Sequence, residues 1–367
     1  WIAVEFDFYS FYEALNNSGA RIRLDAGDPD LPPPGALLEV LMAELPRSLG
    51  YTSASGMPEL RERIAELHGV DPKEVVVTPG AKAALSALIH SANSVGVFAP
   101  YWPGYKSAIA IFGKRLVVRH LSQEDSWLPG QDDVLSLAGK ADMLLVNYPN
   151  NPTGAVLDSK TARGILEAAR DSGMVVVSDE AYRDIVFNGS RLVMASLETE
   201  GVVSIYSFSK TFSLPGLRIG YAVGDATLVK RIRDFIAATY TGVPRYSQLV
   251  ALKALELVVE VSEEVRRVYY SRLSAAIEVI DSSVFEYTMP KGGLYLFLKL
   301  KNGIDGTRLA YRLAEKGIGV FPGVAFGGAR YRNYIRVSLT APANTIVDGL
   351  KAITKEAMIM AGGQRWR

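Results

Sequence analysis

The chain has 367 residues, more than a single hydrophobic core usually organises, so two domains or one large α/β unit is expected. Its 40 Lys and Arg against 39 Asp and Glu leave a net charge of +1, which gives no electrostatic reason for nucleic acid or an anionic membrane as partner. With no Cys there are no disulfides, thiolate nucleophiles, Cys-ligated zinc or iron–sulfur clusters, and the three histidines, His68, His90 and His120, share no metal-ligand spacing.

The first residues, Trp1-Ile2-Ala3-Val4-Glu5, place no basic region before an apolar one and do not read as a signal peptide. Apolar runs such as Met143–Val146 fall far short of the ~18–20 residues a spanning helix needs, so a cytoplasmic protein is expected. Short apolar runs then alternate with amphipathic stretches. Glu74–Thr78, Ser94–Ala99, Leu116–His120, Met143–Asn147, Met174–Ser178 and Val202–Ser207 read as buried strands. Ala81–Ser91, Pro103–Ile111, Ser159–Ser172 and Thr227–Tyr240 read as the helices between them, a pattern that predicts a largely parallel sheet covered by helices. Ser247–Ser274 is expected to form one long helix. Beyond it, strands at Phe285–Thr288, Gly293–Leu300 and Tyr334–Leu339 with helices at Thr307–Lys316 and Thr345–Met360 suggest a smaller α+β domain.

Four segments carry candidate chemistry. Pro79-Gly80-Ala81-Lys82 joins a strand to an Ala-rich helix; helix-start N–H groups bind phosphate well, yet such joints are as readily plain turns. Asn147-Tyr148-Pro149-Asn150-Asn151-Pro152-Thr153-Gly154 is a stiff loop at a strand end, where ligands of open α/β sheets bind. Read alone, it too can be a structural turn. Asp179 closes the strand before Ala181-Tyr182, so its carboxylate either faces the same crevice or caps a helix. Ser207-Phe208-Ser209-Lys210-Thr211 sets a lysine among hydroxyl residues just after a strand. Burial there would move its amine toward the neutral form a Schiff base needs, and Arg218 follows eight residues later.

Taken together, and in this order, these motifs resemble the class I/II aminotransferases, pyridoxal-phosphate enzymes of fold type I. The resemblance runs from Gly27-Asp28-Pro29-Asp30 to Tyr334-Ile335-Arg336-Val337-Ser338. It implies an α/β fold: a large domain (28–270) with a mostly parallel seven-stranded sheet between helices. A smaller α+β domain would be built from 1–27 and 271–367. It implies that Lys210 holds pyridoxal 5'-phosphate as an aldimine and then moves the substrate proton, and that Asp179 pairs with the pyridine nitrogen. Asn151 and Tyr182 would address the cofactor's phenolic oxygen, and Trp102, in Pro100-Tyr101-Trp102-Pro103-Gly104-Tyr105, would stack on its ring. Gly80, Ala81 and Lys82, through their backbone, would cup the phosphate with Ser207, Ser209 and Arg218. Arg336 would grip the α-carboxylate beside Gly27, with Trp102 and Asn151 also facing the substrate. Tyr51 would reach the phosphate of a partner subunit in a homodimer.

The activity implied is ping-pong transfer of an amino group from an L-amino acid to a 2-oxo acid. A lyase or decarboxylase on the same fold, or a non-catalytic cofactor-sensing domain, is the alternative. A nicotinamide dehydrogenase is disfavoured because no Gly-x-Gly-x-x-Gly follows a strand. Two segments depart from the family's pattern. The approach Ser94-Val95-Gly96-Val97 to Pro100 is short and lacks an acidic turn. The segment before Gly27 is unusually aromatic, with Phe6, Phe8, Tyr9, Phe11 and Tyr12. Those rings either pack a helix onto the small domain or form an apolar lid over bulky side chains.

Overall fold

The computed structural model describes residues 6–47 and 50–364. The signal-peptide reading of residues 1–5 and the first part of the 1–27 segment lie outside the described residues. A helix, Phe8–Asn17, opens the description. Asp7 caps it by accepting from the Tyr9 and Ser10 amides, and it buries Phe11 and Leu15, one turn apart, against the body of the protein. Strand β1 (Ile22–Arg23) follows.

A seven-stranded sheet comes next, made of β2 (Val75–Thr78), β3 (Ser94–Ala99), β4 (Arg115–His120), β5 (Met143–Asn147), β6 (Val175–Asp179), β7 (Val202–Ser207) and β8 (Gly220–Gly224). Its order is β2-β8-β7-β6-β5-β3-β4. Only β8 runs antiparallel to its neighbours. Central strands such as Val202–Ser207 are apolar along nearly their whole length because helices cover both faces, whereas the edge strand β4 is partly exposed. β8 escaped the sequence reading: two of its five residues are Gly, which dilutes the apolar run.

The expected helix over Ser247–Ser274 is two helices, Arg245–Glu256 and Val258–Glu278. Leu257 leaves the helical region at φ −98°, ψ 2°. The two halves bury their apolar faces against different neighbours, which one straight helix could not do. The first packs on Gly35–Glu44 and Pro58–His68, the second on the C-terminal helix Ala343–Gln364.

The remaining strands are β9 (Phe285–Glu286), β10 (Tyr295–Leu300), β11 (Ile318–Gly319), β12 (Phe321–Pro322) and β13 (Tyr334–Ser338). Four of them form an antiparallel sheet in the order β12-β13-β10-β9, while β11 pairs in parallel with β1 and so ties the N-terminal segment to this region. Arg336, at the centre of β13, lies opposite Phe297 on one side and Phe321 on the other. No helix among the described residues is long and apolar enough to cross a membrane.

Candidate active site

Strands β2, β3, β5, β6 and β7 all end at the same edge of the large sheet, and the turns that follow them surround a cleft of about 430 Å³. Gly27, Ala81, Lys82, Trp102, Asn151, Asp179, Tyr182, Ser207, Ser209, Lys210, Arg218 and Arg336 all line it. Gly80 lies just behind Arg218. Tyr51 does not join them. It stands 93% exposed beside a separate surface hollow that it shares with Arg47, Thr52 and Arg245.

At the floor, Asp179 is the last residue of β6 and fully buried. Its carboxylate accepts from the Tyr105 hydroxyl at 2.6 Å and from the Ala181 amide at 3.1 Å. Burial raises its pKa; the Tyr105 hydrogen bond, the Ala181 amide and the Lys210 charge pull the other way without cancelling it. Tyr105 was not foreseen as part of the site. Its signal was its place one turn beyond Trp102 on the helix Pro103–Ile111, which turns both rings to one side. Asn147, closing β5, organises the next loop: its amide nitrogen donates to the Asp179 carbonyl, and its oxygen accepts the Asn151 N–H.

Lys210 sits on a single helical turn, Phe208–Thr211, capped by the Ser207 hydroxyl, and its ammonium donates to the Gly27 carbonyl at 2.7 Å. It is half-buried rather than enclosed, because that turn faces the open cleft. At the helix-start end of the cleft, Gly80 precedes the helix Ala81–Ser91 at φ +75°, and a Cβ there would come within 2.7 Å of the Arg218 guanidinium. The free N–H groups of that helix start, the Ser207 and Ser209 hydroxyls and the exposed Arg218 thus share one corner, which suits a phosphate. Lys82 lies nearby with its ammonium 5.2 Å from the centre of the Trp102 ring.

The opposite end belongs to the small sheet. Arg336 is 3% exposed, donates to the Asn151 side-chain oxygen at 2.9 Å and to the Asp25 carbonyl, and rests on the Tyr295 ring with 4.2 Å to its centre. Among the described residues no carboxylate pairs with it, and its buried Nε has no hydrogen-bond partner. An uncompensated buried guanidinium is costly unless an anion completes it. The volume a side chain at Gly27 would need is taken by the Tyr295 hydroxyl, 2.1 Å from the position of a Cβ. Tyr295 also meets the Tyr182 hydroxyl at 3.0 Å, while the Asn151 amide approaches Tyr182 at 3.5 Å. Sequence reasoning missed Tyr295 because it followed Leu294, Leu296, Leu298 and Leu300 along one face of the strand. The alternate face, starting at Tyr295, is the one turned to the cleft.

The N-terminal aromatic segment packs a helix onto the small sheet and also reaches the cleft. Phe11 packs edge-on against Tyr311, and Phe8 stacks on Phe321 with centroids 4.4 Å apart, which fastens the helix to the small sheet. Phe8, Tyr9 and Tyr12 nevertheless form one wall of the cleft. Among the described residues no group of His, Asp or Glu could hold a metal ion. The residues present therefore fit an aromatic phosphate cofactor with a protonated ring nitrogen: a buried carboxylate at one end, a phosphate cup at the other, and a lysine between.

Comparison with known proteins points the same way. The family described as aminotransferase class I and II matches residues 21–353. The aspartate aminotransferase of Thermococcus kodakarensis is 40% identical over 352 residues, covering 96% of this chain and 93% of its own. An LL-diaminopimelate aminotransferase of Dehalococcoides mccartyi is 32% identical, with 88% of each chain covered. Among solved structures, the Thermus thermophilus aspartate aminotransferase with maleate superposes with a TM-score of 0.88 at 26% identity, covering 94% of this chain and 96% of that one. On the fold, the cleft and these relatives together, the chain belongs to the class I and II aminotransferases and is a pyridoxal-phosphate-dependent enzyme of fold type I.

Proposed function

We propose that Lys210, Asp179, Tyr182, Asn151, Arg218 and Arg336 carry transamination between an L-amino acid and a 2-oxo acid, in a ping-pong sequence. The observation that carries this reading is the buried, unpaired guanidinium of Arg336 in the same cleft as Lys210. Bound pyridoxal phosphate supplies an electron sink for the charge left at the substrate Cα.

The rest is the work of this chain's side chains. Arg336 takes the α-carboxylate in a two-pronged grip that fills its Nε and fixes the amino acid's orientation. Lys210 Nζ takes the proton from Cα and returns one on the way out, and its hold on the Gly27 carbonyl keeps it on the substrate side. Asp179 keeps the ring nitrogen protonated, which its burial and fixed hydrogen bonds suit it to do. Asn151 and Tyr182 would donate to the phenolic oxygen, Trp102 would stack on the ring, and Gly80, Ala81, Lys82, Ser207, Ser209 and Arg218 would hold the phosphate. The relatives' substrates, aspartate and LL-diaminopimelate, share the α-amino and α-carboxylate groups that such a site reads.

The same proposal divides the chain into a large domain, 28–270, and a small one from 1–27 and 271–367, and pairs two chains as a homodimer. Leu38, Met42 and Leu45 present an exposed apolar stripe at helical spacing on and just beyond the helix Gly35–Glu44, near in sequence to the exposed Tyr51. A second copy covering that stripe would let Tyr51 serve the partner's phosphate. A monomer at micromolar concentration in sedimentation would remove the dimer from the proposal. A cytoplasmic location follows, where free amino acids and 2-oxo acids are exchanged. To test the chemistry, the holoenzyme is mixed with an amino acid alone. Transamination releases one equivalent of 2-oxo acid per site and stops, whereas continuous release of ammonia or carbon dioxide would overturn the proposal in favour of a lyase or decarboxylase.

A further inference from the structure

We propose that Tyr295 is a positioning residue for Tyr182: its hydroxyl donates to the Tyr182 hydroxyl and thereby commits Tyr182 to donate to the cofactor. This rests on the reading that Tyr182 addresses the cofactor's phenolic oxygen. Three observations support it.

The two hydroxyls are 3.0 Å apart, with the rings edge-on at 77°, so one must donate to the other. If the Tyr182 proton goes to a ligand, its oxygen is left to accept, and Tyr295 is the donor in reach. The Asn151 amide, 3.5 Å from the same oxygen, is at the limit of a hydrogen bond and adds little. Second, among the described residues the Tyr295 hydroxyl has no other hydrogen-bond partner, and its ring is already held by burial and by the Arg336 guanidinium at 4.2 Å. Phenylalanine would keep those ring contacts, so the oxygen is there for the one bond it makes. Third, the backbone makes room for that oxygen. A Cβ at Gly27 would lie 2.1 Å from it, so any side chain there would push the hydroxyl away.

The titratable and charged groups facing Tyr182 are Tyr295 and Arg336 from the small sheet, Asp179 from β6 and Tyr105 from the helix Pro103–Ile111, with Lys210 beyond Asp179. Burial holds the Tyr182 hydroxyl well above the usual tyrosine range, so it remains a donor over the whole working pH. Donation from Tyr295 polarises the Tyr182 O–H bond and strengthens the bond it gives in turn; such relays gain about 10–30% per link.

The test reads the absorbance of the lysine–cofactor chromophore of the holoenzyme against pH, independently of turnover. A hydrogen bond given to the phenolic oxygen draws off charge that would otherwise hold the proton on the nearby linkage nitrogen, so removing a donor raises the titration midpoint. Tyr182→Phe should raise it by on the order of one pH unit, and Tyr295→Phe by a few tenths. In the Tyr182→Phe background, Tyr295→Phe should add nothing, and Gly27→Ala alone should match or exceed Tyr295→Phe. An unmoved midpoint in Tyr295→Phe, with Tyr182→Phe shifted, would overturn this inference alone. An equal shift in both backgrounds would also overturn it, because Tyr295 would then act directly. A wild-type midpoint in Gly27→Ala would count against the contact. An unmoved midpoint in Tyr182→Phe would overturn the role of Tyr182 on which the inference rests.

Discussion

The two ends of the cleft are built differently. At the large-sheet end three polar groups close strands: Asn147 ends β5, Asp179 ends β6 and Ser207 ends β7. Asn147 ties adjacent strand ends together through its bonds to Asp179 and Asn151, while Asp179 also takes the Tyr105 hydroxyl from the helix after β3. At the small-sheet end the contacts join Phe8 to Phe321, Gly27 to Tyr295, and Arg336 to Asn151 and Asp25. The first end is fixed by sheet register, and the second by packing between distant segments. Chemistry that must not vary is thus placed where backbone geometry holds it. The Phe8, Tyr9 and Tyr12 wall of the cleft is held by side-chain packing from the N-terminal helix onto the small sheet.

Predictions that break this contrast run from the first end to the second. Lys210→Ala removes the amine proposed both to hold the cofactor and to move the proton, so kcat should fall by roughly 10⁴-fold or more. Near-normal turnover, measured by coupled 2-oxo acid release, would remove Lys210 from its role. Asp179→Ala should still take up cofactor, since the phosphate cup is intact, yet lose roughly 10²–10³-fold in kcat because the ring nitrogen no longer has its fixed counter-charge. An unimpaired rate would show that Asp179 is only structural. At the other end, Arg336→Lys keeps a positive charge but loses the fork. It should lower kcat/KM by roughly 10–100-fold, mainly through KM. A drop confined to kcat would place Arg336 in the chemical step rather than in substrate holding.

The same contrast explains what was legible in the sequence. Strand ends announce themselves through apolar runs broken by polar or Gly-Pro punctuation, so Gly80, Asn151, Asp179 and Lys210 could each be placed at a strand end, but a turn, a loop or a helix cap stayed open there until the family resemblance joined them into one site. Tyr105 was half-visible, since its helical offset from Trp102 was on the page but its hydrogen bond to Asp179 was not. Tyr295 and Phe321 were hidden. Each lies in an ordinary alternating or short strand, and its meaning comes from a neighbour more than 100 residues away, Tyr182 in one case and Phe8 in the other. The break at Leu257 was hidden for a related reason: Arg245–Glu256 and Val258–Glu278 share a helical pattern, and only the change of packing partner separates them.

The smallest effect tests the aromatic wall itself. Phe8 is half-buried and stacked on Phe321 at an interplanar angle of 18°. Phe8→Ala should leave the grip on the α-carboxylate and the proton transfer in place and remove only apolar surface from one side of the cleft. Its cost should grow with the substrate's side chain. For a bulky aromatic amino acid, kcat/KM should fall about threefold to tenfold, the scale of a lost apolar contact in a pocket, while for alanine it should hardly change. Phe11→Ala provides the contrast on the same helix. Phe11 is buried and anchors the helix, so its loss should loosen the whole wall and depress both substrates alike. If Phe8→Ala depressed alanine and phenylalanine equally, Phe8 would be an anchor like Phe11. The wall would then be structural rather than a surface that sorts substrates by size.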